Sequence, residues 1–162
     1  MSTPVDLRRA KPHDAFAVAA LHLQLGRELG EVPAPGFLDR WADAWLRDVD
    51  RHPAFLAEID KRPVGLVQLV VVDDLPTLAA PAGGRHGTVT TFYVSPTFRR
   101  QGIASRLLRE VLRWAGSEGL DRLTGDLAGL GSAAPGIARR AGAHPVGSTV
   151  VEAALTVPST LF

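Results

Sequence analysis

Along the 162 residues of this chain the spacing of hydrophobic positions changes several times, and each change predicts an element. Val5–Arg9 reads as a short strand, followed by a turn at Lys11-Pro12-His13-Asp14. Asp14 stands where its carboxylate would accept the free first-turn amides of a following helix. In that helix Phe16, Ala19, Ala20, Leu23 and Leu25 mark a buried side, until Gly26 and Gly30 weaken it. A second helix is predicted after Pro35-Gly36, because Phe37, Trp41, Trp45 and Val49 recur every four residues with Leu38 and Leu46 beside them. Such a stripe faces inward, and Trp41 and Trp45 on it either pack the core or wall a substrate cavity.

The pattern then turns β-like. Ala54–Ile59 and Val64–Val72 are β-rich runs joined by Asp60-Lys61-Arg62-Pro63, which predicts a hairpin. Asp73–His86 is polar with Pro and Gly, and reads as a long loop of the kind that often carries function. Thr88–Val94 is a third β run, rich in β-branched and aromatic residues. After a loop at Ser95–Gln101, Gly102–Gly116 is an amphipathic helix with Ile103, Leu107, Leu108, Val111 and Leu112 on one face. A strand at Arg122–Leu127, a short helix near Ala134–Ala141 and a strand at Val146–Leu155 end the chain. The order predicts an α/β or α+β fold around a mixed sheet, in one domain spanning residues 1–162.

The segment Thr91–Ser105 carries the chemistry. A hydrophobic strand runs into a basic, glycine-containing loop that opens onto a helix. The free amides of a helix's first turn point at one spot and the helix dipole adds positive potential, so this is an anion site. Gly102 and Ala104 are small enough to let a bulky anion approach the backbone. Arg99 and Arg100 would add charge-assisted hydrogen bonds or screen phosphates from solvent. An ordinary strand–turn–helix with exposed arginines is the competing reading.

Here the chain resembles the GNAT superfamily of acetyl-CoA-dependent N-acetyltransferases. The family motif, Arg/Gln-x-x-Gly-x-Gly/Ala after Tyr-Val-x-Pro, matches Arg99-Arg100-Gln101-Gly102-Ile103-Ala104 after Tyr93-Val94-Ser95-Pro96. The resemblance implies a mixed, mostly antiparallel central sheet flanked by about four helices and splayed to admit the cofactor. It implies that the amides of Gln101, Gly102, Ile103, Ala104 and Ser105 hold the pyrophosphate of acetyl-CoA, and that the edge Phe92, Tyr93, Val94 pairs with pantetheine. The implied reaction is direct acetyl transfer to an amine, with a backbone amide near Val94 polarising the thioester carbonyl. The family's Asn-x-x-Ala-x-x-x-Tyr pattern is incomplete: the tyrosine position falls on Ala138 and the asparagine position on Gly131, while Ala134 matches. Ser132 is then a candidate acid or water anchor. Asp73, Asp74, His86 and Glu152 are candidate bases, each with a solvated-surface or structural reading beside it.

Composition narrows the alternatives. Zero cysteine excludes thiolate nucleophiles, Cys-ligated zinc and disulfides, and suits a reducing, cytoplasmic setting. Eighteen basic against 17 acidic residues, a net charge of +1, give none of the excess expected of a nucleic-acid binder. No apolar run is long enough to span a membrane. No His spacing suggests a metal. Gly129-Leu130-Gly131-Ser132-Ala133-Ala134 formally matches G-x-G-x-x-A, but its leading strand contains Gly125 and Asp126, and Pro135-Gly136 shortens its helix. The expected partner is a small-molecule amine, and a homodimer is left open. A non-catalytic acyl-CoA-binding sensor is the rival function, motivated by the missing tyrosine.

Overall fold

The computed structural model describes residues 3–126, 133–142, 144–145 and 150–154. Its strands are β1 (Asp6–Arg9), β2 (Ala54–Ile59), β3 (Arg62–Asp74), β4 (Gly84–Val94), β5 (Arg122–Asp126), β6 (His144–Pro145) and β7 (Val150–Ala154). The helices are α1 (Ala15–Glu28), α2 (Phe37–Arg47), α3 (Ile103–Ser117) and α4 (Ala134–Arg140). The strands form one sheet in the order β1-β2-β3-β4-β5-β7-β6. Every neighbouring pair is antiparallel except β4 with β5.

Strand alternation sends side chains to two cores. On one face Val67, Leu69, Val89, Phe92 and Val94 pack against Ile103, Leu107, Leu108 and Val111 of α3 and Ile137 of α4. On the other, Leu56, Leu66 and Tyr93 pack against Val18 and Leu21 of α1 and Ala42 and Trp45 of α2. Gly65 allows the closest helix approach, since a Cβ there would lie 3.0 Å from the Leu107 side chain. The β2–β3 hairpin closes on Asp60 and Lys61, both at positive φ (50° and 63°), as a two-residue type I′ loop requires.

Several expectations need correction. The span Asp73–His86 is only partly a loop: β3 runs on to Asp74 and β4 starts at Gly84. Asp73 forms an ion pair with Arg85 at 3.0 Å, and Asp74 a hydrogen bond with His86 at 3.0 Å, so cross-strand polar contacts extend a hairpin that polarity alone made loop-like. Phe16 is 58% exposed, and α1 instead buries Ala15, Val18, Ala19 and Leu21. Gly26 lies within α1, which continues to Glu28, and Gly30 follows just past its end at a left-handed φ of 82°. Of the expected strand Val146–Leu155 the structure describes Val150–Ala154, as β7, and the remaining positions lie outside the described residues. Among the described residues no helix is long and apolar enough to cross a membrane.

Asp14 also departs from expectation: it makes no side-chain cap on α1. Its carboxylate instead takes Nη1 and Nη2 of Arg8 at 2.7 and 2.8 Å, and the Lys11 amide at 2.7 Å. Arg8 also donates to both oxygens of Glu58 on β2, tying β1, β2 and the start of α1 together. The Arg8 hydrogen bonds hold the nearly buried Asp14 carboxyl down at about 2, against its ordinary 3.8. A depressed carboxylate stabilises the fold above its unfolded value and loses that contribution as pH falls through 3.8 towards 2. Asp14→Asn should therefore cost about 2 kcal/mol near neutral pH and flatten the pH dependence between roughly 4 and 2. Urea titrations of both proteins across that window are the check, and equal slopes would show that Asp14 is not the group responsible.

Candidate active site: an open strand edge beside a helix N-terminus

The site begins with a mismatch in strand pairing. β3 accompanies β4 along its whole length, from Asp74↔Gly84 to Gly65↔Val94. β5 accompanies it only from His86↔Arg122 to Val89↔Gly125. At the point where β5 stops, the β3–β4 register shifts, pairing Leu69 with Val89 and Gln68 with Thr91. Thr90 is the extra residue of a bulge, and its hydroxyl donates to the Gln68 carbonyl at 3.3 Å.

Beyond the bulge the direction of the backbone groups can be read. The Ser95 amide donates to the Val64 carbonyl of β3 at 2.8 Å. Residues alternate along an antiparallel strand, so the amides and carbonyls of Phe92 and Val94 face away from β3, into the gap left by β5. Their side chains are buried against α3, leaving only backbone to present there. The Val94 carbonyl is already occupied, accepting from Arg99 Nε at 2.8 Å.

The chain leaves this edge through a 3-10 turn at Pro96–Phe98 and enters α3. Arg100 and Gly102 take left-handed φ values of 62° and 78°, which swing the loop so that α3 starts next to the strand end. The first intrahelical bond is Arg106 N–H to Gly102 C=O, and no side chain caps the helix. The amides of Ile103, Ala104 and Ser105 are therefore free, and the space beside Gly102 is open, with no atom within 4 Å of a built Cβ. The Ile103 side chain is buried in the core, whereas Gln101 is exposed, with its amide 3.4 Å from the Thr97 carbonyl. Open space, free amides at a helix N-terminus and an adjoining unpaired strand edge fit a ligand with an anionic head and an extended amide-bearing arm, as acetyl-CoA has.

Arg99 is placed differently from Arg100. Its Nη atoms grip both oxygens of Glu28 at 2.7 Å, and its guanidinium lies 5.7 Å over the Tyr93 ring. Arg99 holds the Glu28 carboxyl below its usual range. Burial pushes the Tyr93 phenol up, helped by the Glu28 charge, so it stays protonated at neutral pH. Glu28 lies 71 residues from Arg99, and no local sequence signal marks it.

The proposed acid and bases are scattered. Asp73 and Asp74 sit at the hairpin end, opposite Arg85 and Gly84, roughly 30 Å along β4 from Val94 at about 3.3 Å per residue. His86 is beside Asp74 at that end. Ser132 lies outside the described residues, as does the Gly129–Ser132 stretch, and so does the side chain of Glu152. Ala138, the position where the resemblance would place tyrosine, is buried on α4. Among the described residues no group of three metal-ligating side chains converges.

Sequence reasoning gave no role to the pair at the bulge. His22 on α1, in the tautomer protonated at Nε2, donates to Oε1 of Gln68 at 2.5 Å, and its ring lies 4.6 Å from that of Trp41. Burial lowers the His22 pKa, leaving a neutral imidazole at neutral pH. The available signal was Gln68, a lone polar residue inside the apolar run Val64–Val72.

Comparison with known proteins follows this geometry. The acetyltransferase (GNAT) family model matches residues 19–132, well over half of the chain, and the protein belongs to that family. Its structure is similar to that of a predicted acetyltransferase from Clostridium acetobutylicum solved with acetyl-CoA, at 20% identity and TM-score 0.70, covering 90% of this chain and 93% of that one. It is similar to the ribosomal-protein-alanine N-acetyltransferase of Brucella melitensis biovar Abortus, at 25% identity and TM-score 0.65, covering 90% and 96%. A third similar structure is AAC(6′)-Iy bound to the bisubstrate analogue CoA-S-monomethyl-acetylneamine, at 18% identity and TM-score 0.68, covering 91% and 95%. A sequence comparison with curated proteins finds no match.

Gly102 gives the sharpest test of the anion site. Glutamate there would place a carboxylate among the free amides and strain a φ of 78°, a backbone cost on the order of 1 kcal/mol. Gly102→Glu should fold with a slightly lower Tm and bind acetyl-CoA at least tenfold more weakly. Calorimetric titration reads both, and unchanged affinity would remove the site from this loop.

Proposed function

We propose that the protein is a cytoplasmic N-acetyltransferase that moves acetyl from acetyl-CoA directly to the amine of a small molecule. The observation that carries the reading is the edge of β4 from Phe92 to Val94, which is unpaired among the described residues and lies next to the uncapped N-terminus of α3. Acetyl-CoA would supply a thioester, whose thiolate is a good enough leaving group to depart without a covalent enzyme intermediate. The chain's own part is binding, orientation and charge stabilisation. The amides of Gln101 to Ser105 receive the pyrophosphate, and Arg100 screens it. The outward Phe92 amide and carbonyl and the Val94 amide receive the amide-bearing arm as an added strand would.

The same edge supplies electrophilic help. An outward amide at Phe92 or Val94 stabilises the negative charge that grows on the carbonyl oxygen as the amine attacks. The α3 face of the strand is filled by the Phe92 and Val94 side chains, so the amine approaches from the face carrying Tyr93, Gln68 and His22. The incoming ammonium must lose a proton before it attacks. His22, kept neutral by burial, is able to accept one on that face.

A second reading is supported by Ala138. With no hydroxyl at the position where the resemblance places the acid, the domain would bind acyl-CoA and perform no transfer. Two assays on one preparation separate them: acetyl-CoA binding by calorimetry, and release of free CoA thiol with a panel of small amines. Transfer predicts binding together with thiol release on at least one amine. Tight binding with no release on any amine favours the sensor, and absence of binding overturns both.

A further inference from the structure

Arg99 opens the basic loop, and its charge invites a phosphate role, but its contacts point elsewhere. Nε donates to the Val94 carbonyl at 2.8 Å and Nη2 to Oε2 of Glu28 at 2.7 Å, while Nη1 lies 2.7 Å from Oε1 in an ion pair. Glu28 is the last residue of α1, where the helix dipole disfavours a negative charge unless a cation accompanies it. One turn earlier, Gln24 accepts from the Ser95 hydroxyl at 3.3 Å. The final turn of α1 is thus pinned twice to the end of β4, beside its unpaired edge.

We infer that Arg99 is a positioning residue that couples the placement of α1 to the acyl-carrier edge of β4, and that it is not a ligand of the cofactor's phosphates. The inference rests on the proposed function only in naming what pairs with that edge. By holding the Val94 carbonyl, Arg99 ends the pairing surface after the Val94 amide and fixes where an added arm must stop. By holding Glu28, it transmits any shift of that edge to α1, and so to the His22 side of the site.

The two roles predict opposite signs for Glu28. If Arg99 were a phosphate ligand restrained by Glu28, removing the carboxylate would free it and tighten cofactor binding. If Arg99 positions the edge, removing either partner loosens the same contact. The test measures the affinity of wild type, Glu28→Gln, Arg99→Gln, Arg99→Lys and Glu28→Gln/Arg99→Gln for acetyl-CoA and for 3′-phospho-ADP, which lacks the arm. Hydrogen exchange over residues 24–28 and 95–99 is followed in the ligand-free proteins.

Each single variant should weaken acetyl-CoA roughly fivefold or more and leave 3′-phospho-ADP within about twofold. The double variant should be no worse than the singles. Arg99→Lys, which keeps the charge and loses the fork, should behave like Arg99→Gln. Exchange should rise over residues 24–28 when only Arg99 is changed. Tighter acetyl-CoA binding in Glu28→Gln, or an equal loss for both ligands in Arg99→Gln, overturns the inference in favour of a phosphate ligand. If wild type binds neither ligand, the functional reading fails, and exchange alone decides the coupling: a rise over residues 24–28 upholds it and no change refutes it.

Discussion

The rest of the site depends on β4 having two different neighbours. β3 satisfies one side of it throughout, and β5 satisfies the other only as far as Val89. The last paired position is tight: a Cβ on Gly125 would lie 2.8 Å from that of Val89, so only glycine lets β5 come that close before it leaves. Beyond it, the bulge at Thr90 resets which backbone groups point outward. Unpaired amides and carbonyls inside a sheet need a partner, and both faces around them are already packed with side chains. A partner must therefore enter in the plane of the sheet, as a strand would. The same geometry excludes a globular ligand and favours a narrow, amide-bearing one.

Two helix ends of opposite polarity converge where that strand stops. α3 presents free amides and a positive end, which suits an anion, while α1 presents its negative end with Glu28 on it. Left alone, Glu28 would repel the charge that α3 attracts. Arg99 stands between them and neutralises the carboxylate through a hydrogen bond from Nη2 and an ion-pair contact from Nη1. The left-handed turns at Arg100 and Gly102 then carry the chain away, keeping the amides of α3 clear of that ion pair. The first arginine of the loop serves the scaffold and the second is left beside the anion site, a division that charge counting could not show.

Much of this was legible in the residues. The β-branched and aromatic run Thr88–Val94, the glycine in the basic loop and the stripe from Ile103 to Leu112 placed the end of the strand, the loop and α3 where the structure has them. What sequence missed had one common cause, polar side chains whose partners lie far along the chain. Asp73 and Asp74 looked like loop because Arg85 and His86, across the hairpin, were invisible. Asp14 looked like a cap because Arg8 competes for it from a neighbouring strand. Nothing near Glu28 marks it as the counter-ion of Arg99, 71 residues away. Phe16 counted as core by hydrophobicity, yet α1 turns it to solvent and buries the smaller Ala15 and Val18.

The missing tyrosine can be weighed against the same geometry. An acid matters most when the leaving group is a poor one, and a thiolate departs far more readily than an alkoxide, so its loss costs less here than the loss of the oxyanion donor would. The proposed donor is a backbone amide, fixed by strand register, and no single side-chain substitution would remove it. For the proposed amine acceptor the harder demand is on the acceptor side, where an ammonium would have to shed its proton close to the thioester. The described groups there, Tyr93, Gln68 and His22, are a protonated phenol, a carboxamide and a neutral imidazole. Of these only the imidazole offers a basic lone pair, although burial lowers its pKa. Its Nε2 is committed to Gln68, so Nδ1, which has no partner among the described residues, is the atom left to do it. Proton removal on this side would then pass through α1, the helix that Arg99 and Glu28 hold against the strand.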